Sequence, residues 1–310
     1  ILEEWFDKPI IEKDGNRAGL IFRPSSDGLK VFKDNKVKKD SSLINQLSYL
    51  NNIYNRLIKG DVEPKSFFDY NKFSKHFAYL DLLNGKHSLY PFNLIWYFNP
   101  LTKLVEPIAR EWSSRSLTEI ESLTYDLKDD MFVNKLFSDK NFVKLYFDEL
   151  QNVSSSKYVI NFFDEIKNDK DSILNILYKD YPYYDYSMDY LIRNQKYLNK
   201  RLNDFSNDIV INLDIGNQND LKISIKNFGQ LECQIHSLEL NGKVKKVDNN
   251  FILEGDGEKH LILNDLYEFE DLSNIEDLFI KYSLPQINEL KVYVKKILIP
   301  NNNIFFKNHI

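Results

Sequence analysis

Hydrophobic residues recur at helical spacing in the first half of the chain. From Ser42 the apolar positions fall three or four residues apart, as on one face of an α-helix, at Leu43, Ile44, Leu47, Leu50, Ile53, Tyr54, Leu57 and Ile58. Ser42 is placed to cap the start of this helix and Gly60 to end it. A second helix is predicted from about Asn71 to Leu83, with Gly85 as its left-handed end.

Two short strand pairs accompany these helices. Leu20–Arg23 and Leu29–Phe32 are predicted strands joined by a turn that ends at Gly28. Leu94–Phe98 and Leu104–Ile108 form a second predicted hairpin around an Asn-Pro turn at 99–103. Because Pro107 has no backbone donor, its strand is predicted to lie at a sheet edge or to end there.

Residues 115–204 are predicted to be helical in several amphipathic pieces, namely Phe142–Leu150, Tyr158–Ile166, Ile173–Tyr178 and Met188–Leu202. Between the last two stands a tyrosine-rich turn at residues 181–186. Exposed tyrosines there would form a platform for a carbohydrate or a base. Packing of the turn against the helical core is the favoured interpretation, since aromatic rings bury large areas.

Near Ser206 the hydrophobic period changes to two, which is typical of half-buried strands. Alternating segments follow at Ile209–Leu213, Leu221–Asn227, Cys233–Leu240 and Leu290–Ile299, separated by turn signals such as Asn241-Gly242. The chain is therefore predicted to be an α+β protein of two domains. Residues 1–205 form the mainly helical domain with its β-hairpin, and residues 206–310 form an all-β, immunoglobulin-like sandwich.

Composition narrows the classes of function. The 310 residues are 43% hydrophobic and 28% charged, as in ordinary globular proteins. The formal net charge of -5 does not produce the positive electrostatic potential with which proteins attract nucleic acid. No apolar run reaches the length of a membrane span, and the single cysteine, Cys233, excludes an intrachain disulfide. Because the sequence starts at Ile1, directly in a segment with the pattern of structured sequence, we expect an upstream part of the protein to be missing here.

Common catalytic and nucleotide-binding motifs do not occur in the sequence. It contains no His-Glu-x-x-His, no Walker loop, no Gly-rich dinucleotide fingerprint and no Gly-x-Ser-x-Gly elbow. The five histidines lack metal-ligand spacing. His76 is predicted to be buried on its helix. His87 follows Gly85 in a loop between a helix and a hairpin, where either a structural or a catalytic role is open.

The order of elements between residues 72 and 112 is the most specific feature. A helix is followed by a loop with His and Asn, a Tyr-containing strand, an Asn-Pro-x-Thr turn and a Pro-Ile strand that ends at an acid, in KFSKHFAYLDLLNGKHSLYPFNLIWYFNPLTKLVEPIAREW. This order resembles the CotH (spore-coat protein H) kinase-like family. The opening Leu2–Lys13, Asn141–Tyr146 and Arg193–Leu198 are also similar to that family, so the resemblance covers residues 1 to about 204.

The resemblance implies an atypical kinase-like lobe that binds ATP with Mg²⁺ or Mn²⁺. It also implies phosphorylation of Ser, Thr or Tyr in proteins of the cell envelope or coat. Catalysis of this kind is positioning and charge neutralisation. By the resemblance, Asn93 and Glu111 are the candidate metal ligands, His87 is the candidate general base, and Glu4 contacts the nucleotide.

Some residues depart from the family pattern. Ser88 stands where a kinase-type loop would carry its aspartate, and Arg110 would compete with a metal for the Glu111 carboxylate. Asp81 lies further back, where a helix-surface role is predicted. Strands that would supply an ATP-contacting lysine are expected upstream of Ile1. The alternative function is therefore a catalytically impaired, pseudokinase-like envelope scaffold that binds partners through residues 206–310.

Overall fold

The protein has an α+β fold with antiparallel sheets. The computed structural model describes residues 19–25, 28–90, 92–110, 123–124, 131–203, 209–215, 221–227, 231–240, 242–247, 251–253, 258–263, 278–285 and 288–297. The chain divides into two compact units, Ile1–Leu202 and Asn203–Ile310. The sequence-based boundary lies at residues 205 and 206, and the domain identities assigned to its two sides stay predictions.

Helices dominate the described part of the first unit. They are α1 (Asp34–Val37), α2 (Ser41–Lys59), α3 (Tyr70–Leu83), α4 (Met131–Phe137), α5 (Lys140–Ser154), α6 (Tyr158–Glu165), α7 (Lys167–Asp180) and α8 (Asp189–Asn203). Short 3₁₀ turns lie at Pro64–Ser66 and Lys86–Leu89. The helical pieces predicted within residues 142–202 are confirmed, and α7 extends beyond its predicted piece at both ends.

The ends of the two predicted helices differ in detail from the prediction. Asp40, not Ser42, caps α2, because its carboxylate accepts hydrogen bonds from the backbone of Ser42 and Leu43. Gly60 ends α2 in the left-handed region at φ 81°, as predicted. Asn84 ends α3 at φ 52°, so the prediction that Gly85 is the left-handed residue is wrong. Asparagine tolerates this conformation because its short polar side chain bonds locally.

A four-stranded sheet lies within the helical unit. Its strands are β1 (Leu20–Ser25), β2 (Gly28–Val31), β3 (Trp96–Asn99) and β4 (Leu104–Pro107), in the order β2-β1-β3-β4. Both predicted hairpins are confirmed, and β4 lies at the edge, where Pro107 costs no ladder hydrogen bond. Gly19 packs so closely on β3 that a Cβ atom there would stand 2.2 Å from the Phe98 carbonyl oxygen.

Aromatic side chains hold the sheet and the helices together. The Trp96 ring lies 4.8 Å from Phe132 on α4 and 5.7 Å from Phe73 on α3, in edge-to-face geometry. Phe77 on α3 meets Phe142 on α5 at 6.0 Å. α3 therefore lies at the centre of the core, between the sheet and α5, and its C-terminal end fixes the loop that leads into β3.

The tyrosine-rich turn contradicts the sequence-based interpretation. Tyr183 is 98% exposed and Tyr181 is 64% exposed, so the turn does not pack against a core. The preceding helix, α7, has no buried residue.

The second unit is built from strands in its described part. One sheet has the order β10-β6-β5, from β5 (Ile209–Ile215), β6 (Leu221–Asn227) and β10 (Glu258–Leu263). The other sheet contains β7 (Cys233–Leu240), β8 (Lys243–Lys246), β9 (Ile252–Leu253), β11 (Leu278–Leu284) and β12 (Asn288–Ile297). Its order is β12-β11-β7-β8, and β9 also pairs with β7. Cys233 is buried, which raises the pKa of its thiol to about 12 and makes it a poor nucleophile.

Candidate functional site

The loop between α3 and β3 brings two predicted site residues together. Asn93 is 5% exposed, and its Nδ2 atom donates to the His87 carbonyl oxygen at 3.0 Å. The backbone N–H of Asn93 donates to the Tyr90 carbonyl at 2.7 Å. Because these bonds close the loop on itself, the spacing of His87 and Asn93 is fixed by the backbone. The Asn93 amide nitrogen is occupied in this way, so its Oδ1 atom is the one suited to a metal.

The His87 side chain lies on the exposed side of this loop. Its ring meets Tyr90 edge-to-face at 5.1 Å and lies 6.4 Å from Phe92. The rings of Tyr90 and Phe92 stack at 5.8 Å and are 53% and 60% exposed. A histidine held at the surface by two aromatic rings is accessible to a substrate hydroxyl, which a general base requires.

Ser88 lies on the opposite side of the loop. It is 4% exposed, and its Oγ atom is buried without a hydrogen-bond partner among the described residues. A buried hydroxyl cannot reach a substrate, so this position does not supply the base that a kinase-type aspartate would supply. An unsatisfied buried polar atom also costs free energy of folding.

Asp81 is buried, and the prediction of a helix-surface role is wrong. Its exposed fraction is 1%. Its carboxylate accepts hydrogen bonds from the Thr124 backbone N–H at 2.8 Å, the Thr124 hydroxyl at 2.9 Å and the Tyr146 hydroxyl at 2.5 Å. Lys86 Nζ lies 3.6 Å away. Burial raises the pKa of Asp81, while Lys86 and these donors act in the opposite direction.

This network connects three separate parts of the chain. Lys86 belongs to the His87 loop, Tyr146 to α5, and Thr124 lies in a segment thirteen residues after Glu111 in the sequence. Asp81 therefore fixes the start of the candidate loop to the core of the unit. The apolar residues on both sides of Asp81, in Phe77–Leu83, are the sequence signal that α3 is buried nearly all round.

A second buried carboxylate fixes the β3–β4 hairpin to α3. Glu106 is 0% exposed, and its carboxylate accepts from Lys72 Nζ at 2.9 Å and from Asn99 Nδ2 at 2.8 Å. Two donors on one carboxylate offset the cost of burying its charge. The sequence analysis missed this pair, although Glu106 alternates with Val105 and Pro107 in a strand whose faces are both buried.

A pocket of about 420 Å³ opens beside the four-stranded sheet. Its described walls are mostly apolar, formed by Leu20, Ile21, Phe32, Val37, Leu43, Ile95 and Ile108. Three cations border it, from Lys33 and Lys36 around α1 and from Arg110 after β4. Lys33 has a left-handed backbone at φ 56°, a strained conformation that is found at ligand sites more often than elsewhere. The pocket suits a ligand with an apolar ring and an anionic group.

Two predicted site residues, Glu4 and Glu111, lie outside the described residues. Of the four, the structure therefore brings together His87 and Asn93. No group of three His, Cys, Asp or Glu side chains that suits a metal occurs within the described ranges. Asn93 has the right chemistry for one oxygen ligand to Mg²⁺, but one ligand is not a magnesium site.

Comparisons with family models, with curated proteins and with solved structures find no match for this chain. In the part of the chain that the structure describes, no helix combines the length and the apolar character needed to cross a bilayer.

Proposed function

We propose that this protein is a CotH-like atypical kinase that transfers phosphate from ATP to Ser, Thr or Tyr of a protein of the cell envelope or coat. One observation carries the proposal. The pocket is bordered by the sequence neighbours of both predicted metal ligands, since Ile95 lies two residues after Asn93 and Arg110 directly precedes Glu111.

The chemistry of the pocket supports a nucleotide as its ligand. A purine ring is apolar on both faces, and the side chains of Leu20, Ile95 and Ile108 provide an apolar wall. The triphosphate carries several negative charges, which Lys33, Lys36 and Arg110 are placed to balance. A pocket of about 420 Å³ is within the ordinary range for ligands of this size.

The metal proposed with the nucleotide would be held by Asn93 and Glu111. When bound, Mg²⁺ or Mn²⁺ neutralises charge on the transferred phosphate. The contribution of the described chain is to orient Asn93 through its bond to the His87 carbonyl and to keep His87 exposed at the same loop. In this proposal His87 accepts the proton of the acceptor hydroxyl.

The finer fold belongs to the same proposal. We assign the first unit to a kinase-like helical lobe, supported by the succession of α3, the His87 loop and the β3–β4 hairpin. We assign the second unit to an immunoglobulin-like sandwich, supported by its two antiparallel sheets of three and five strands.

A specific observation favours a second candidate function. The buried Ser88 replaces the aspartate that a kinase-type loop would expose. On this reading the pocket binds nucleotide without efficient transfer, and the protein acts as a pseudokinase-like scaffold whose second unit binds partners. The burial of the Ser88 hydroxyl is what supports the scaffold. An exposed serine at this position could still act on the substrate through a bound water, whereas a buried one cannot.

Calorimetric titration of ATP into the full chain, with and without Mn²⁺ or Mg²⁺, tests the binding step. We expect binding that requires the metal and that weakens about tenfold when Lys36→Ala removes one cation, since a lost charge-assisted contact is worth about 1.4 kcal/mol or more. Leu101→Ser is the matched control, because Leu101 is 89% exposed on the β3–β4 turn and does not line the pocket. Absence of ATP binding in both metals contradicts the proposal.

A transfer assay separates the two candidates. Radiolabelled ATP is incubated with the full chain and a generic acceptor protein, and incorporation is compared with that of Asn93→Ala and His87→Gln. Incorporation that falls at least about a hundredfold in both variants supports the kinase, since general-base catalysis contributes about 10²–10⁴. ATP binding without incorporation supports the scaffold.

A further inference from the structure

Exposed apolar side chains are concentrated on α6, α7 and the tyrosine-rich turn. Of the fifteen large hydrophobic residues exposed in the described part of the chain, eight lie between Ile160 and Tyr184. Single exposed apolar residues are normal, but a concentration of them marks an interaction surface. The surface, here called the α6–α7 patch, is defined by Phe162, Ile173, Ile176, Tyr181 and Tyr183, with exposed fractions of 44, 64, 64, 64 and 98%.

The Phe163 ring contacts residues of α6, α7 and the tyrosine-rich turn. It meets Phe162 on α6 at 5.3 Å and Tyr186 of the turn at 6.4 Å. The ammonium group of Lys170, on α7, lies 5.9 Å from the same ring. The Phe163 ring therefore links α6, the turn and the Lys170 side chain of α7.

Helix α7 is the part of the patch that most needs a partner. None of its residues is buried, although Ile173 and Ile176 lie three apart on one side of the helix. Most helices of globular proteins gain their stability from a packed apolar face. Isoleucine, phenylalanine and tyrosine are also the kinds of residue found at the cores of protein interfaces.

The charges around the patch identify the partner's chemistry. Five exposed carboxylates lie in the same stretch of the chain and form no ion pair with the described residues, namely Asp164, Glu165, Asp169, Asp180 and Asp185. Of the three lysines between residues 160 and 185, Lys167 is paired with Asp171 at 2.7 Å and Lys170 lies over Phe163. Lys179, the third, is exposed, but six carboxylates against three lysines leave this stretch acidic, so a partner gains from placing cations against the rim.

We infer that the α6–α7 patch binds an amphipathic segment of another protein, with an aliphatic stripe flanked by lysine or arginine. An acidic rim around an apolar centre discriminates against acidic partners and accelerates association with basic ones. None of the patch residues lines the pocket beside the sheet, so this inference does not depend on the proposed nucleotide function.

A designed peptide tests the inference. The probe is a fluorescein-labelled, eighteen-residue amphipathic helix of leucine and lysine, and its counterpart replaces every lysine by glutamate. We expect saturable binding of the lysine peptide to the full chain in fluorescence anisotropy at physiological salt. Ile173→Ser with Ile176→Ser should weaken it at least about tenfold, since interface-core side chains dominate affinity. Asp169→Asn with Asp180→Asn should weaken it several-fold.

Two controls keep the test decisive. Leu101→Ser removes an exposed leucine outside the patch and should leave the affinity unchanged. Circular dichroism confirms that each variant is folded. Equal binding of the glutamate peptide, or an affinity unchanged by the double isoleucine variant, overturns the inference. So does sedimentation that shows a dimer abolished by that variant, because a second copy of the chain would then occupy the patch.

Discussion

Helices α3 and α7 have the same length of fourteen residues and opposite environments. α3 buries eight residues, including an aspartate and a histidine, whereas α7 buries none and exposes two isoleucines. Residue type therefore does not decide burial in this protein. What surrounds the helix decides it, since α3 has the sheet on one side and α5 on the other.

The comparison also shows how a carboxylate is tolerated in a core. Asp81 is surrounded by donors from Thr124, Tyr146 and Lys86, so its lone pairs are satisfied although its pKa is raised by burial. On α7, Asp171 meets Lys167 in solvent, where such pairs contribute little. The contact between Asp81 and Lys86 therefore matters more for stability than the ion pair of Asp171 and Lys167, because only Asp81 is removed from water.

The largest expected effect is the loss of the buried carboxylate of α3. Asp81→Ala leaves the Lys86 ammonium and the Tyr146 hydroxyl without their acceptor, so we expect the free energy of unfolding to fall by about 3–5 kcal/mol. Urea denaturation measures it. Asp180→Ala, at an exposed position of α7, is the matched control and should stay within about 0.5 kcal/mol. Equal losses in the two variants would show that the Asp81 network contributes nothing.

The second effect is on the pH dependence of stability. His76 on α3 is 4% exposed, and burial lowers its pKa from 6.5 to about 3. The unfolded chain therefore binds a proton that the folded chain does not, and this contribution to stability, fully present above pH 6.5, is lost as the pH falls towards about 3. The loss amounts to about 1.4 kcal/mol per pH unit, or about 2.7 kcal/mol between pH 6.5 and 4.5.

His76→Leu removes this contribution while keeping an apolar side chain in the core. We expect the difference in unfolding free energy between variant and wild type to change by about 2.7 kcal/mol across that interval, in favour of the variant at low pH. Asp81 titrates in the opposite sense, because its raised pKa favours the folded state on acidification, and it cancels in the difference. Lys75→Gln, on the exposed side of α3, should keep the wild-type slope. A constant difference at all pH values contradicts a buried neutral histidine.

The parts of the fold that were predictable from the sequence are those set by local pattern. α2, α3, both hairpins and four strands of the second unit, β5, β6, β7 and β12, follow from periodicity and turn residues within a few positions. The buried role of Asp81 did not follow, because its donors come from positions 43 and 65 residues away. The tyrosine-rich turn was predicted to be packed because its composition suits a core, and the exposure of Tyr181 and Tyr183 shows otherwise.

The candidate site also has a part that was predictable from the sequence and a part that was not. His87 and Asn93 were assigned through the family resemblance, and they lie close together in the structure because they are six positions apart in one loop, where the Asn93 side chain donates to the His87 carbonyl. The pocket was not identifiable, since Leu20, Lys36 and Arg110 meet only after β1 pairs with β3 and α1 folds back beside them. Short-range chemistry is visible in a sequence, whereas a cavity depends on the packing of distant segments.

The smallest expected effect is the one that separates α7 from α3 most clearly. Ile173→Ser and Ile176→Ser should each change the free energy of unfolding by less than about 0.5 kcal/mol, because an exposed side chain loses no burial and serine and isoleucine have similar helix propensities. Leu80→Ala in α3, which is fully buried, is the comparison and should cost about 2–5 kcal/mol. If the isoleucine variants lost as much as Leu80→Ala in the isolated chain, the isoleucines would already be covered in solution. The α6–α7 patch would then be part of the protein's own core rather than a surface for a partner.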